Sequence, residues 1–353
     1  MKGAEAIGEA AIYAGAKNYF CYPITPQTEV AEYLARRLPE VGGVFLQAES
    51  ELAASNMLFG AGATGVRVFT SSSSPGISLM SEAISYITAA ELPVVLINIM
   101  RAGPGLGGIL PSQADYFQAT KGGGHGDYRL LVLAPSTIQE AVDITLLAFD
   151  KADEYRNPVM IVGDGMIGQM MEPVEFPENY KPKFHDNSDW ATTGCKGREP
   201  HIVKTLFLDP VLNNLQNEKL SAKYRQIEAN EVRYEEFNME GEYEILLVSY
   251  GTMARICKTA IEELGKKGTK VGLVRPISLY PFPQKAVFDA ANRKHVKMVA
   301  SIEMSMGQMV EDVERSVAGK KKVGFFGHAG GIVPTPDEII EFVSSLVKRP
   351  KSN

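Results

Sequence analysis

The sequence predicts an α/β protein of two domains, each a parallel sheet wound on both faces by helices. Its 353 residues exceed the roughly 100 to 200 of one ordinary domain. Strand and helix signals alternate through the first half, lapse between residues 176 and 241, and then resume. The strand signals are short unbroken runs of Val, Leu and Ile, as strands covered by helices on both faces require. The expected division is a first domain over 1–175, a connector with a helical segment over 176–241, and a second domain over 242–353.

Residues 3–16 are small and helix-friendly, 19–22 form a short aromatic strand, and Pro26 is expected to open the next helix with Thr25 as its cap. Residues 44–47 read as a strand, 51–64 as an Ala-rich helix, 66–70 as a strand closed by serines, and 75–89 as a helix. The runs 92–99, 130–134 and 159–163 read as buried strands. Between them, residues 101–129 form a Gly-rich segment too long for a simple connection, and such loops are usually functional. Pro173, Pro177, Pro182 and Trp190 mark a stretch wandering over a surface, and the charged run 212–237 reads as a weakly packed helix or helical hairpin. The second domain should alternate through strand 244–249, helix 252–266, strand 270–274, and then 281–291, 298–302, 306–317 and 323–326. A helix over 337–346 ends it, and disorder is expected only over 348–353.

Hydrophobic residues make up 45% of the chain and charged residues 22%, enough for a substantial core in each domain. A net charge of -6 with acids and bases interleaved leaves no basic stripe for nucleic acid. The longest apolar run, 92–100, is under half a membrane span, so no membrane segment and a cytoplasmic location are expected. Cys21, Cys195 and Cys257 are too few and too scattered for a disulfide framework or a cluster site, and are expected as buried reduced thiols. His185, His201, His295 and His328 lack ligand partners at metal spacing, so no metal site is expected on this chain.

Three motifs carry the functional reading. Tyr22-Pro23-Ile24-Thr25-Pro26 joins a strand end to a helix start, where backbone N–H groups favour anions. Glu51 opens a small-residue helix with Gly60 and Gly65 downstream, which by itself suits the helix dipole. Arg101 leaves the most hydrophobic strand at its carboxyl end, and a guanidinium there can grip a planar carboxylate with two parallel hydrogen bonds.

Together these motifs resemble the pyrimidine domain of thiamine-diphosphate enzymes, and more closely the alpha subunits of 2-oxoacid:ferredoxin oxidoreductases. Residues 3–15, Tyr22 to Pro26, 47–65, the Ser71–Ser72–Ser73–Ser74 turn with Pro75 and Gly76, and 101–108 occur in that family's order. Ser112-Gln113-Ala114-Asp115 and the Gly-His-Gly-Asp of 122–128 resemble the branch acting on 3-methyl-2-oxobutanoate. From residue 242 the chain is similar to the transketolase C-terminal domain, with Glu303, Gly307 and Gln308 at matching positions.

The resemblance implies CoA-dependent oxidative decarboxylation of a 2-oxoacid with electrons passed to ferredoxin. The alternatives are a 2-oxoglutarate or pyruvate enzyme of the same family, or a noncatalytic structural subunit keeping the fold. It implies Glu51 as the catalytic residue, donating a hydrogen bond to a pyrimidine nitrogen of the cofactor, with Glu49 as the alternative. It implies Thr25, Arg101 and His125 around the substrate, and Tyr22, Pro23, Ile24, Thr25, Glu51 and Ser74 around the cofactor. Gly163-Asp164-Gly165 resembles the start of a diphosphate and magnesium motif, but Asn179 and Asn187 come too early to complete it. Thiamine diphosphate is therefore expected to be shared with a beta subunit carrying that motif. Mg2+ and 4Fe–4S clusters are expected on partners, which would include a gamma subunit and a ferredoxin-like delta subunit.

Overall fold

A computed structural model of the chain describes residues 1–348, so nearly all of the tail expected to be disordered lies outside the described residues. The first half runs α1 (Gly3–Tyr13), β1 (Asn18–Cys21), α2 (Thr28–Glu40), β2 (Val44–Gln47), α3 (Glu51–Ala63), β3 (Val68–Ser72), α4 (Ser74–Ala89), β4 (Val94–Met100), α5 (Tyr116–Thr120), β5 (Leu131–Leu133), α6 (Ile138–Tyr155), β6 (Val159–Asp164) and α7 (Gly165–Gln169). A strap without regular structure leads to α8 (Pro210–Asn230) and β7 (Tyr234–Phe237). Then follow β8 (Ile245–Val248), α9 (Gly251–Lys266), β9 (Val271–Pro276), β10 (Ser278–Tyr280), α10 (Gln284–Ala291), β11 (Met298–Glu303), α11 (Met309–Val317), β12 (Val323–Gly327) and α12 (Pro336–Lys348). Among the described residues no helix is long and apolar enough to cross a membrane.

The strands form two sheets, one of seven ordered β10-β5-β6-β4-β3-β1-β2 and one of five ordered β12-β11-β8-β9-β7. Every pairing is parallel except β10 on β5 and β7 on β9. This is the doubly wound α/β architecture expected from the sequence. Strand β4 shows why its run is apolar on both faces save for Asn98: Leu96 and Met100 enter one core, while Val95, Ile97 and Ile99 enter the core on the opposite face. A fully buried Leu or Ile contributes about 1.5 to 3 kcal/mol, so a one-residue slip of β4 would exchange its two faces at large cost. The first of these cores continues into the second sheet through Leu246, Val248 and Val274, so one apolar layer lies between the two sheets.

Several elements differ from expectation for local physical reasons. Helix α2 begins at Thr28, because Gln27 N–H donates to the Ile24 carbonyl at 2.9 Å and makes residues 24–27 a turn. Thr25 and Pro26 thus precede the helix and do not cap it. Helix α6 was not anticipated, although Thr137 accepts from Glu140 N–H at 3.1 Å as its cap. The run expected as helix over 212–237 splits into α8 and β7, with Leu220, Tyr224 and Ile227 buried and the helix start exposed. Strand β10 was also unforeseen: three residues from the second half of the chain pair with β5 and close the edge of the first sheet. Cys195 is exposed, contrary to expectation, while burial pushes the Cys21 thiol up to about 11 and that of Cys257 to about 12.

Loop 112–121 joins the two sheets. Gln113, fully buried, donates through Nε2 to the Tyr250 carbonyl at 2.9 Å and accepts from Met304 N–H through Oε1 at 2.9 Å. The carboxyl ends of β8 and β11 are thereby covered by the first half of the chain. Glu303 ends β11 as a buried carboxylate accepting from Gln308, Met309 and Val310 N–H at 3.0 to 3.1 Å, which satisfies donors at the start of α11.

Candidate active site

The carboxyl edge of the seven-stranded sheet gathers most of the residues singled out from the sequence. β1 leads to the turn from Tyr22 to Pro26, β2 to Glu51, β3 to Ser74, and β4 to Arg101. The winding direction reverses between β1 and β3, and open sheets hold ligands in the crevice at such a reversal.

Glu51 is the first residue of α3, behind Ser50, whose Oγ accepts from Ala53 N–H at 3.1 Å. Its side chain turns inward and is 5% exposed, whereas Glu49 is exposed. Among the described residues its carboxylate has neither a hydrogen-bond partner nor an ion pair. The first turn of α4 stands against it at Gly76, where an added Cβ would lie 2.1 Å from Ser72 Oγ and 2.7 Å from Glu51 Oε1. Ser72 Oγ and Ser73 Oγ are buried without a partner. The result is a narrow polar cradle holding the Glu51 carboxyl and the unsatisfied Ser72 hydroxyl.

Arg101, 6% exposed, is held by backbone: Nη1 donates to the Thr25 carbonyl at 2.9 Å and Nη2 to the Leu106 carbonyl at 3.1 Å. Its Nε is buried without a partner. The structure therefore brings Arg101 and Thr25 together, with the Thr25 side chain exposed. Gln27, fully buried, anchors their turn by donating to the Tyr22 carbonyl at 3.2 Å and accepting from Ser71 Oγ at 3.1 Å. Tyr22 is exposed, and Pro23 and Ile24 are half-buried.

Ser74 opens α4 and joins a network that the sequence reading missed. Asn98 Oδ1 accepts from Ser74 N–H at 3.1 Å, and Asn98 Nδ2 donates to Asp115 Oδ2 at 2.9 Å. Ser74 Oγ lies 2.6 Å from Asp115 Oδ2 and accepts from Arg101 N–H at 3.0 Å. Burial raises the Asp115 carboxyl above the ordinary carboxylate range, against hydrogen bonds from Ser74 and Asn98 and the charge of Arg101. The signal was present as Asn98, the one polar residue in the run of β4.

His125 is not brought to this group. Its carbonyl accepts from Ser85 Oγ at 2.8 Å, and its exposed ring meets the edge of Tyr86 at 5.9 Å. Ser85 lies about 16 Å along α4 from Ser74 at the helical rise per residue. The loop is pinned there because Gly124 packs on the Ser81 backbone, where an added Cβ would stand 2.4 Å from the carbonyl oxygen. Asp164 caps α7, accepting from Met166 N–H at 2.9 Å and Ile167 N–H at 3.4 Å. Gly163-Asp164-Gly165 is thus a strand end and helix start. Among the described residues no three His, Cys, Asp or Glu side chains are grouped to hold a metal ion.

Residues 9–236 match the family model described as pyruvate flavodoxin/ferredoxin oxidoreductase, thiamine diphosphate-binding, and residues 243–339 match pyruvate:ferredoxin oxidoreductase core domain II. The chain is 47% identical to ketoisovalerate oxidoreductase subunit VorB of Methanothermobacter marburgensis, covering 94% of this chain and 93% of that protein. It is 33% identical to 2-oxoglutarate synthase subunit KorA of Methanothermobacter thermautotrophicus over 98% of both chains. Among solved structures it superposes with a TM-score of 0.87 on 2-oxoglutarate:ferredoxin oxidoreductase from Magnetococcus marinus with 2-oxoglutarate, coenzyme A and succinyl-CoA bound. That match, at 25% identity, covers 99% of this chain but spans only 65% of the other. A split-gene transketolase, 14% identical with a TM-score of 0.59, shares the fold. With both family models matched and near full-length relatives in hand, the chain belongs to the 2-oxoacid:ferredoxin oxidoreductase family and carries its thiamine-diphosphate-binding domain.

Proposed function

We propose that this chain is the alpha-type subunit of a cytoplasmic 2-oxoacid:ferredoxin oxidoreductase that decarboxylates 3-methyl-2-oxobutanoate oxidatively. Coenzyme A takes the acyl group and ferredoxin the electrons. The observation that carries the reading is the meeting of Arg101 and Thr25 at the sheet edge that also holds the buried, unpartnered Glu51. Beta, gamma and ferredoxin-like delta subunits would supply the magnesium and diphosphate motif and the 4Fe–4S clusters. The 47% identity to a ketoisovalerate oxidoreductase subunit supports the branched-chain substrate. So does the loop after Arg101, which presents Leu106, Ile109 and Leu110 to solvent, an apolar surface suited to an isopropyl group and not to a second carboxylate.

The cradle fits the pyrimidine of thiamine diphosphate, because the unpartnered Ser72 hydroxyl and the Glu51 carboxyl stand together where Gly76 leaves no room for a Cβ. When bound, that cofactor supplies the electron sink for decarboxylation. Glu51 would set its inward-turned carboxyl against a ring nitrogen and exchange a hydrogen bond with it. Arg101 would bind the substrate carboxylate with its remaining N–H donors, and the exposed Thr25 hydroxyl would add one more. Ser74 would keep the first turn of α4 in place beside both.

The test is to co-express the chain with its partner subunits and to measure coenzyme A-dependent viologen reduction. The catalytic efficiency should be highest with 3-methyl-2-oxobutanoate. Higher efficiency with 2-oxoglutarate or pyruvate would overturn the substrate, and the absence of activity with every 2-oxoacid would leave a noncatalytic subunit.

A further inference from the structure

We propose that Asp115 is a positioning residue that fixes the aim of Arg101 through Ser74 and Asn98 without touching the substrate. The inference rests on the reading that Arg101 holds the 2-oxoacid carboxylate.

The ordinary task of an aspartate just before a helix is to cap it. Asp115 stands at that position for α5 but makes no side-chain cap hydrogen bond. Its Oδ2 instead lies 2.6 Å from Ser74 Oγ and accepts from Asn98 Nδ2 at 2.9 Å. Both partners act on Arg101 or its neighbour in space. Ser74 Oγ accepts the Arg101 N–H at 3.0 Å, and Asn98 Oδ1 holds Ser74 N–H at 3.1 Å. A single carboxylate oxygen thus ties Asn98, near the end of β4, to the first residue of α4. No ion pair within 4 Å meets this half-buried carboxylate among the described residues, so its burial is offset by the Ser74 and Asn98 hydrogen bonds and the nearby charge of Arg101.

The ring of contacts determines where the guanidinium lies. Arg101 is gripped at its head by the Thr25 and Leu106 carbonyls, so any tilt of its backbone must bend the side chain between fixed ends. The segment carrying Asp115 is itself clamped. Gln308 donates to the Ala114 carbonyl at 2.6 Å and accepts from Phe117 N–H at 2.8 Å, one contact on each side of Asp115. The second half of the chain therefore holds the residue that orients the substrate-binding arginine of the first.

The experiment uses the assembled enzyme with Asp115→Ala, Asp115→Asn, Arg101→Lys and the two double variants. Losing a charge-assisted hydrogen bond should raise KM for the 2-oxoacid about tenfold in Asp115→Ala, and about fivefold in Asp115→Asn, which keeps an acceptor but not the charge. Calorimetric affinity for 3-methylbutanoate, which has the carboxylate without the keto group, should fall by the same factors, and KM for coenzyme A should not change. In the Arg101→Lys background each Asp115 substitution should add less than about twofold, because residues acting through one group are not additive. Multiplying effects would overturn the proposal, as would an unchanged KM in both Asp115 variants. If Asp115→Ala fails to assemble, Asp115→Asn carries the same comparison. Should Arg101→Lys itself leave KM and affinity unchanged, the reading of Arg101 is wrong and the proposal falls with it, an outcome distinct from an effect at Arg101 alone.

Discussion

Glu51 and Glu49 lie two residues apart and have opposite environments, so a pair of substitutions separates their roles. Glu51 is buried at the start of α3 with Gly76 against its Oε1, and Glu49 is exposed before the helix. Glu51→Gln in the assembled enzyme is expected to abolish thiamine-diphosphate-dependent decarboxylation with an unchanged melting temperature, since an amide cannot move the proton that a carboxyl can. Glu49→Gln should turn over at close to the wild-type rate. The reverse pattern would assign the proton to Glu49. The sequence contained both carboxylates and the glycines downstream, and that spacing favoured Glu51. It did not contain the inward turn of the side chain, which depends on α4 arriving with a glycine at its third residue. For the same reason the Asn98 and Asp115 network was hidden: the two are 17 residues apart and meet only because β4 ends at the edge where α5 begins.

At the scale of elements, the alternation of strands and helices was legible because near-continuous apolar runs such as β4 and β6 are the mark of strands that helices cover on both faces. What the sequence did not disclose were elements whose identity depends on a distant partner. Strand β10 is three residues long and has no signal of its own; it is a strand because β5 lacks a neighbour on that side. Strand β7 likewise carried the charge pattern of the helix before it, and pairs because the edge of β9 is open. The meeting of α4 with α3 gives a direct prediction. Gly76→Ala would place a methyl carbon 2.1 Å from Ser72 Oγ and 2.7 Å from Glu51 Oε1. Alanine is a better helix former than glycine by about 1 kcal/mol, so α4 should survive while the cradle closes. The expected result is a folded subunit whose assembled enzyme has lost most of its affinity for thiamine diphosphate, read by cofactor titration. Unchanged cofactor affinity would place the pyrimidine elsewhere.

Across the whole molecule, the two halves meet through the shared apolar layer and through charged junctions, among them Lys121 with Asp312, Arg255 with Glu172, and the cluster around Arg275. Arg275, at the end of β9 and almost fully buried, donates to Glu140 of α6 at 2.7 and 2.9 Å and to Glu235 of β7 at 2.7 Å. Lys258 of α9 adds a further contact to Glu235 at 2.5 Å. Burial opposes ionisation of Glu235, but hydrogen bonds from Lys258 and Arg275 outweigh it and hold the carboxyl below its ordinary value. A carboxyl lowered on folding stabilises the folded state above its unfolded value of about 4.3, and that stability is lost as pH falls through the lower folded value. Acid should therefore loosen the junction between the halves while neutral and mildly basic solutions leave it intact. Glu235→Gln removes this titrating group, so the melting temperature of the variant should lie below wild type at pH 7 and converge with it as the pH falls below about 4. Arg275→Met is a stronger perturbation, because it takes the shared cation from both Glu140 and Glu235, although their partial exposure keeps the cost below the roughly 3 to 5 kcal/mol of a fully buried pair. Its loss should be largest at pH 7, where the Glu235 carboxyl is charged, and should shrink in acid as that group protonates. Differential scanning calorimetry of the two variants from pH 3 to 8 checks both signs. A Glu235→Gln difference that stayed constant across that range would show that the junction is held by packing alone, with the charges contributing nothing to it.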